Sequence, residues 1–289
     1  MDQQVTTVYQ SDKIKIATYH CGGGHGGRSR EEWAEQDEIV FPRAGTFVRY
    51  DAGGRVVADA NQVLFFRCGQ PYEISHPISG GDRSTIFNVA PGFLEKGLGT
   101  DVVSDQNHFV IGHLPVRMRQ RLMHHQLLYM LACADVEAFE IEELVWSLLG
   151  DVICSSRNYP QQGKQGRAQT CKEYADLSDH VKVFLGAHFQ EKVALEEIAS
   201  AVFCSPYHLC RVFKQVNGVT IYTYLKRLRL IGVLEHLAEF PKTGFAAIAL
   251  DFGFASHSHF STVFRKEFGV QPSEMRPPKT SWFANRAIS

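Results

Sequence analysis

The stretch SPYHLCRVFKQVNG at residues 205–218 is written a second time as SHSHFSTVFRKEFG at residues 256–269, and this duplication restricts the possible folds more than any other feature. At a constant offset of 51 residues, Ser205 aligns with Ser256, His208 with His259, Leu209 with Phe260, Val212 with Val263, Phe213 with Phe264, Lys214 with Arg265 and Gly218 with Gly269. In the first copy Leu209, Val212, Phe213 and Val216 fall at i, i+3, i+4 and i+7, which places them on one stripe of a helix and predicts a buried face. The complementary stripe reads Tyr207, Cys210, Arg211 and Lys214 in one copy and Ser258, Ser261, Thr262 and Arg265 in the other. That face is polar, cationic at its far end, and expected to be exposed.

An Ile-Ala pair precedes each copy, at Ile198-Ala199 and Ile248-Ala249, inside a short helical pattern separated from the serine by a few turn residues. The unit is therefore helix, turn, helix. Ser205 and Ser256 suit the N-cap, where a hydroxyl accepts from a free backbone N–H; Pro206 suits the first helical position, and Gly218 and Gly269 suit the C-terminal stop. The second turn is one residue longer and contains Gly253.

A short helix followed by one with a buried face and a face of Arg, Lys, Ser, Thr, His and Tyr is similar to a helix-turn-helix DNA reader. A single copy would equally suit an ordinary amphipathic hairpin, but the repetition favours the reader. Between the copies, residues 220–238 carry Ile221, Leu225, Leu228, Ile231 and Leu234 on one side, with Lys226, Arg227 and Arg229 elsewhere. One helix of that length spans about 28 Å, close to the ~34 Å between successive major-groove segments on one face of B-DNA. Two readers at fixed spacing then address adjacent turns of one duplex.

With 289 residues and 44% hydrophobic content the chain has material for two domains with real cores. Residues 156–172, SRNYPQQGKQGRAQTCK, are the least apolar and least periodic, and read as a linker. Ahead of it, residues 14 to about 110 hold short runs of Val, Ile, Phe, Tyr and Thr broken by turn residues, which predicts an antiparallel sandwich or small barrel. The clearest hairpin is Phe47 to Val57. From Leu114 the period becomes helical, and Asp135 is placed to cap a second helix whose Ile141, Leu144, Val145, Leu148 and Val152 form a stripe. The stripe either covers the sheet, pairs with the same hairpin of a second subunit, or does both. The fold class expected is α+β with two domains. A β-barrel occupies residues 1–113, a helical hairpin with a dimerisation role 114–155, the linker 156–172, an all-α domain with two helix-turn-helix units 173–280, and a tail 281–289.

Lys+Arg against Asp+Glu stands at 17 to 20 for residues 1–172 and 13 to 11 for residues 173–289, so the helical part is the basic one despite a net charge of −1. No apolar run approaches the ~18 residues of a membrane span, and the start of the chain lacks signal-peptide character, which places the protein in the cytoplasm, with no membrane partner. Seven scattered cysteines with no CxxC pair suit reduced thiols.

The segments LEEIASAVFCSPYHLCRVFKQVNGVT (195–220), YLKRLRL (224–230) and IALDFGFASHSHFSTVFRKEFGVQPSEMR (248–276) closely resemble the DNA-binding domain of the AraC/XylS family of bacterial transcription regulators. The N-terminal part is similar to that family's cupin-like sensor domain by order of elements and by QPYEISHPISGGD (70–82). The resemblance implies a barrel that binds a small-molecule effector, a hairpin that makes a homodimer, double-stranded operator DNA as ligand and RNA polymerase as a further partner. It also implies base contacts from Tyr207, Cys210 and Arg211 in the first reader and from His257, Ser258, Ser261 and Thr262 in the second. Lys214 and Arg265 fall toward the helix ends and suit phosphate. Cys210 stands where the family often has a polar base-reading residue, and Val233 replaces the usual Ala of the connecting helix.

His20, Cys21, His25, Cys68 and His76 invite a metal or redox reading, but their spacing is no known zinc pattern and the histidine and glutamate ligands of metal-dependent cupins are missing. Neither a metal nor any other cofactor is expected. Cys204 and His208 lie one helical turn apart without a second pair, which suits packing. Two enzyme readings stand as alternatives: a methyl-accepting DNA alkylation-repair protein, which shares such a DNA domain, and a catalytic cupin. Neither has its ligand or nucleophile signature here, so no catalytic residue is assigned.

Overall fold

The computed structural model describes residues 3–23, 27–90, 109, 111–133, 135–159, 168–240 and 243–275. His25, part of the expected linker and the expected tail lie outside the described residues.

The N-terminal half is built from β1 (Gln3–Gln10), β2 (Ile14–Cys21), β3 (Glu32–Trp33), β4 (Glu38–Gly45), β5 (Phe47–Asp51), β6 (Gly54–Ala58), β7 (Gln62–Phe66), β8 (Pro71–Ser75), β9 (Asp82–Val89) and β10 (His113–Pro115). They form a six-stranded sheet in the order β1-β2-β9-β4-β7-β10 and a four-stranded sheet in the order β3-β8-β5-β6. Every pairing between these strands is antiparallel. The expected hairpin is β5–β6, with Asp51 opposite Gly54.

Side-chain alternation assigns the two faces of the large sheet to different tasks. Ile14 and Ile16 of β2, Ile39 and Phe41 of β4, and Phe87 and Val89 of β9 point to one face and join one apolar core. Val40, Ile86 and Phe66, on the opposite face, join Phe47 of the small sheet in a second core between the sheets. The same inward face carries Tyr19, Asp82 and Ser84 to an internal cavity.

Two helices, α1 (Met118–Ala132) and α2 (Ala138–Arg157), cover the outer face of the large sheet. Ile141, Val145, Leu148 and Val152 are buried in the same core as Ile16, Phe41 and Phe87, and Leu144 packs against it. The stripe from which dimerisation was expected is thus consumed by the chain's own sheet, whose apolar outer face needs a cover of that size. Two boundaries also shift. Helix α1 starts at Met118 rather than Leu114, because His113–Pro115 pair with Gln62–Leu64 as β10. The N-cap of α2 is Glu137 rather than Asp135.

The C-terminal half is helical: α3 (Ala168–His188), α4 (Leu195–Ala201), α5 (Pro206–Asn217), α6 (Ile221–Glu239), α7 (Phe245–Asp251), α8 (His257–Phe268) and a closing 3-10 turn (Pro272–Met275). Helix α3 begins inside the segment read as linker. No Pro or Gly stands between Gly166 and Glu173, and Gln169 Nε2 donates to Glu173 Oε1 at 2.9 Å one turn on, so the helical pattern reaches back past Glu173. Helix α6 is buried nearly all round, from Ile221 and Tyr224 through Ile231 to Leu237. Its core also takes in Ala60 and Met118 of the N-terminal half, so the two halves share apolar packing. Among the described residues no helix is long and apolar enough to cross a membrane.

Candidate nucleic-acid interface

The two repeated units fold alike. Ser205 caps α5 by accepting from the His208 amide, and Ser256 caps α8 by accepting from the His259 amide. Gly218 and Gly269 end these helices in the left-handed conformation, at φ 72° and 77°. Leu209, Val212 and Phe213 sink into the core from α5, as Phe260, Phe264 and Phe268 do from α8.

The turns share one hydrogen bond. The amide of Cys204 donates to Ala199 O and that of Phe254 to Ala249 O, both at 2.9 Å. Gly253 takes the positive φ of its turn at 71°, and Phe203 takes the same role at 53° with its ring 97% exposed. The extra residue of the second copy is therefore Ala255, placed after the conserved turn geometry and before the cap.

Tyr207, Cys210, Arg211 and Lys214 all lie exposed on α5, and His257, Ser258, Thr262 and Arg265 on α8, with Ser261 half-buried. Each group forms one face, as the spacing predicted. Arg211 is not loose on that face: its Nη2 donates to Tyr174 Oη of α3 at 3.1 Å and its guanidinium lies over the Tyr174 ring. Thr262 Oγ1 donates to Ser258 O at 2.9 Å, which leaves the hydroxyl oxygen as an outward acceptor.

The cations of α6 have other tasks. Arg229 donates to Phe189 O, Glu191 O and Gly253 O, tying the segment before α4 to the second turn. Lys226 and Arg227 both pair with Glu267 of α8. These contacts hold the two readers to the connecting helix. Nothing in the local sequence marked Arg229 as a staple, since its three acceptors are backbone carbonyls far away in the chain.

The barrel also grips α6. Arg43 pairs with Glu235 at 2.7 Å and Arg83 with Glu239 at 3.2 Å, while Arg55 reaches Asp176 and Asp179 of α3 at 3.0 and 3.1 Å. Asp59, fully enclosed, has its carboxyl pushed above the usual range by burial, and burial likewise pulls the Lys182 ammonium down. A cavity of about 270 Å³ lies in this junction, bounded by Arg43, Asp59, Arg83, Glu235, His236 and Phe252.

A smaller cavity of about 80 Å³ lies inside the barrel, walled by Phe47, Phe66 and Tyr72 with Tyr19, Glu32, Glu38, Asp82 and Ser84. Burial raises Glu38 and holds the Tyr19 and Tyr72 phenols neutral. The metal or redox residues considered from the sequence are separated here. His20 faces outward from β2, Cys68 is exposed beside Glu35 O, and Cys21 and His76 come together.

A helix-turn-helix family model matches residues 198–277. Residues 198–277 are an AraC-type helix-turn-helix domain. The chain is 42% identical over 98 residues to the transcriptional activator RhaS of Escherichia fergusonii, covering 34% of this chain and 35% of RhaS. It is 32% identical over 104 residues to the bifunctional transcriptional activator and DNA repair enzyme AdaA of Bacillus subtilis, covering 36% of this chain and 47% of AdaA. Against the regulatory protein PocR of Salmonella typhimurium it is 27% identical over 147 residues, covering 50% of this chain and 48% of PocR. The match thus spans about a third to a half of the length of these relatives. An apo ToxT variant from Vibrio cholerae aligns over 91% of this chain and 97% of its own at 13% identity with a TM-score of 0.41.

Proposed function

We propose that the protein is a transcription regulator that binds operator DNA through α5 and α8 and answers to a small molecule held by the barrel. The observation that carries it is the pair of capped helices, each with one face in the core and one polar face largely exposed to solvent. Tyr207, Cys210 and Arg211, with His257, Ser258, Ser261 and Thr262, meet base edges; Lys214 and Arg265 meet phosphate. The α6 helix, held by the barrel through Arg43 and Arg83, sets the relation between the readers, so a molecule that shifts the barrel alters DNA affinity. RNA polymerase is the partner through which an activator of this kind acts. Two copies associate through surfaces of the α1–α2 hairpin other than the α2 stripe, which is buried within one chain.

Selection of binding sites from random duplex DNA with the full chain, followed by titration at several salt concentrations, tests it. A defined site and a steep log–log salt slope, near −0.9 per phosphate contact, are expected. Absence of DNA binding even at low salt overturns it.

A further inference from the structure

The geometry points to a zinc-class metal site formed by Cys21, His76 and Asp82 at one end of the barrel. The ligand-capable atoms of these three side chains all lie within 4.8 Å of one another and all are buried. His76 Nε2 stands 2.7 Å from Asp82 Oδ1, and the two side chains are 5% and 3% exposed. Thiolate, imidazole and carboxylate are the donor types zinc takes, and around a tetrahedral ion such atoms stand about 3.3–3.8 Å apart, given bonds of ~2.0–2.3 Å. The His76–Asp82 hydrogen bond has to open by less than an ångström or so to admit the ion.

The backbone is built to bring these residues together. Cys21 is opposite Asp82 in the β2–β9 register, so both point to the same face. A Cβ on Gly81 would lie 1.8 Å from Cys21 O, and one on Gly45 2.0 Å from Gly81 O. Both glycines sit at positive φ, so three backbones converge where no side chain fits.

The donor set matches the charge of a divalent ion, and besides His76 Asp82 has one further side-chain partner, accepting from Ser84 Oγ at 3.2 Å. Among the described residues the ion pair made by Asp82 is with His76, and no Lys or Arg reaches it. Binding releases the Cys21 thiol proton, and the thiolate and carboxylate then cancel the charge of a divalent cation. Three protein ligands leave a fourth position, and Asp82 belongs both to the cluster and to the wall of the barrel cavity. An ion there lies beside whatever occupies that cavity. The metal site stands apart from the DNA-binding proposal, and neither depends on the other.

Titrating the full chain with cobalt(II), a spectroscopic stand-in for zinc, tests it. One equivalent should bind with a thiolate-to-cobalt charge-transfer band and be displaced by zinc. Cys21→Ser should abolish the band and Asp82→Asn weaken binding at least about tenfold, while Cys68→Ser leaves it intact. No band in the wild type, or an unchanged band in a folded Cys21→Ser, overturns the site. A readout without variants is slow alkylation of the native chain mapped by mass spectrometry. Zinc should slow labelling of Cys21 and leave the exposed Cys68 and Cys210 unchanged; no effect at Cys21 overturns it.

Discussion

Tyr224 Oη donates a 2.7 Å hydrogen bond to Asp59 Oδ2, so the helix connecting the two readers is anchored by a buried phenol on a buried carboxylate of the barrel. Asn61 Nδ2 donates to Tyr224 O at 3.2 Å beside it, and the Asn61 amide holds the other Asp59 oxygen at 2.8 Å. Two segments 165 residues apart in the chain are joined through these groups.

Replacing Tyr224 by Phe leaves the Asp59 oxygen without that donor in an enclosed site, and should cost about 1–3 kcal/mol of stability in urea unfolding. Asp59→Asn in the same background should add less than its separate effect, since both changes break one bond. Strictly additive losses would mean that the two groups are not coupled.

Acid should destabilise the fold through two histidines of α1. His124, stacked on Phe41, has its pKa held well below the usual value by burial and by Arg121 and Arg43, and burial lowers His125 to about 4. Both rings are neutral when folded, whereas in the unfolded chain they take up protons near pH 6.5. Their contribution is therefore complete above about pH 6.5 and is lost as pH falls toward the folded values, at up to about 1.4 kcal/mol per pH unit for each ring. Unfolding free energies measured between pH 5 and 8 should show this slope, and His125→Gln should reduce it. A flat profile would show that the rings titrate in the fold as they do in the unfolded chain.

Arg211 and Lys214 should separate specificity from affinity. Arg211 lies one turn nearer the start of α5, where a reader helix meets bases, and its contact with Tyr174 pre-orders the guanidinium. Arg211→Ala should relax preference at one base pair, worth about 1–3 kcal/mol, while Lys214→Ala weakens all duplexes alike and flattens the salt slope by about one unit. Site selection with each variant reads both effects, and an unchanged preference in Arg211→Ala would reverse the roles.

Leu148→Asp should unfold the N-terminal half rather than split a dimer. Leu148 is fully buried in the core between α2 and the large sheet, and an unpaired carboxylate there costs several kcal/mol. Circular dichroism should lose its strand signal. A folded variant with halved mass in sedimentation would instead restore the stripe as an interface.

What the sequence by itself determined is local and periodic. Spacing at i, i+3, i+4 and i+7, a serine before each reader and a glycine after it specify helix, face and cap within a dozen residues, and that information is enough for α5 and α8 to form as read. The same logic placed the β5–β6 hairpin, whose turn is adjacent in sequence. Tertiary structure decided everything that depends on distant partners. Periodicity shows that Leu148 faces something apolar but not whether that is the same chain's sheet or another chain, and only the packed large sheet settles the choice. Arg229, Tyr224 and Asp59 look like ordinary polar residues until the fold supplies carbonyls, donors and burial from far along the chain. Cys21, His76 and Asp82 show no metal spacing because strand register and close contacts between glycine backbones, not sequence proximity, bring them together.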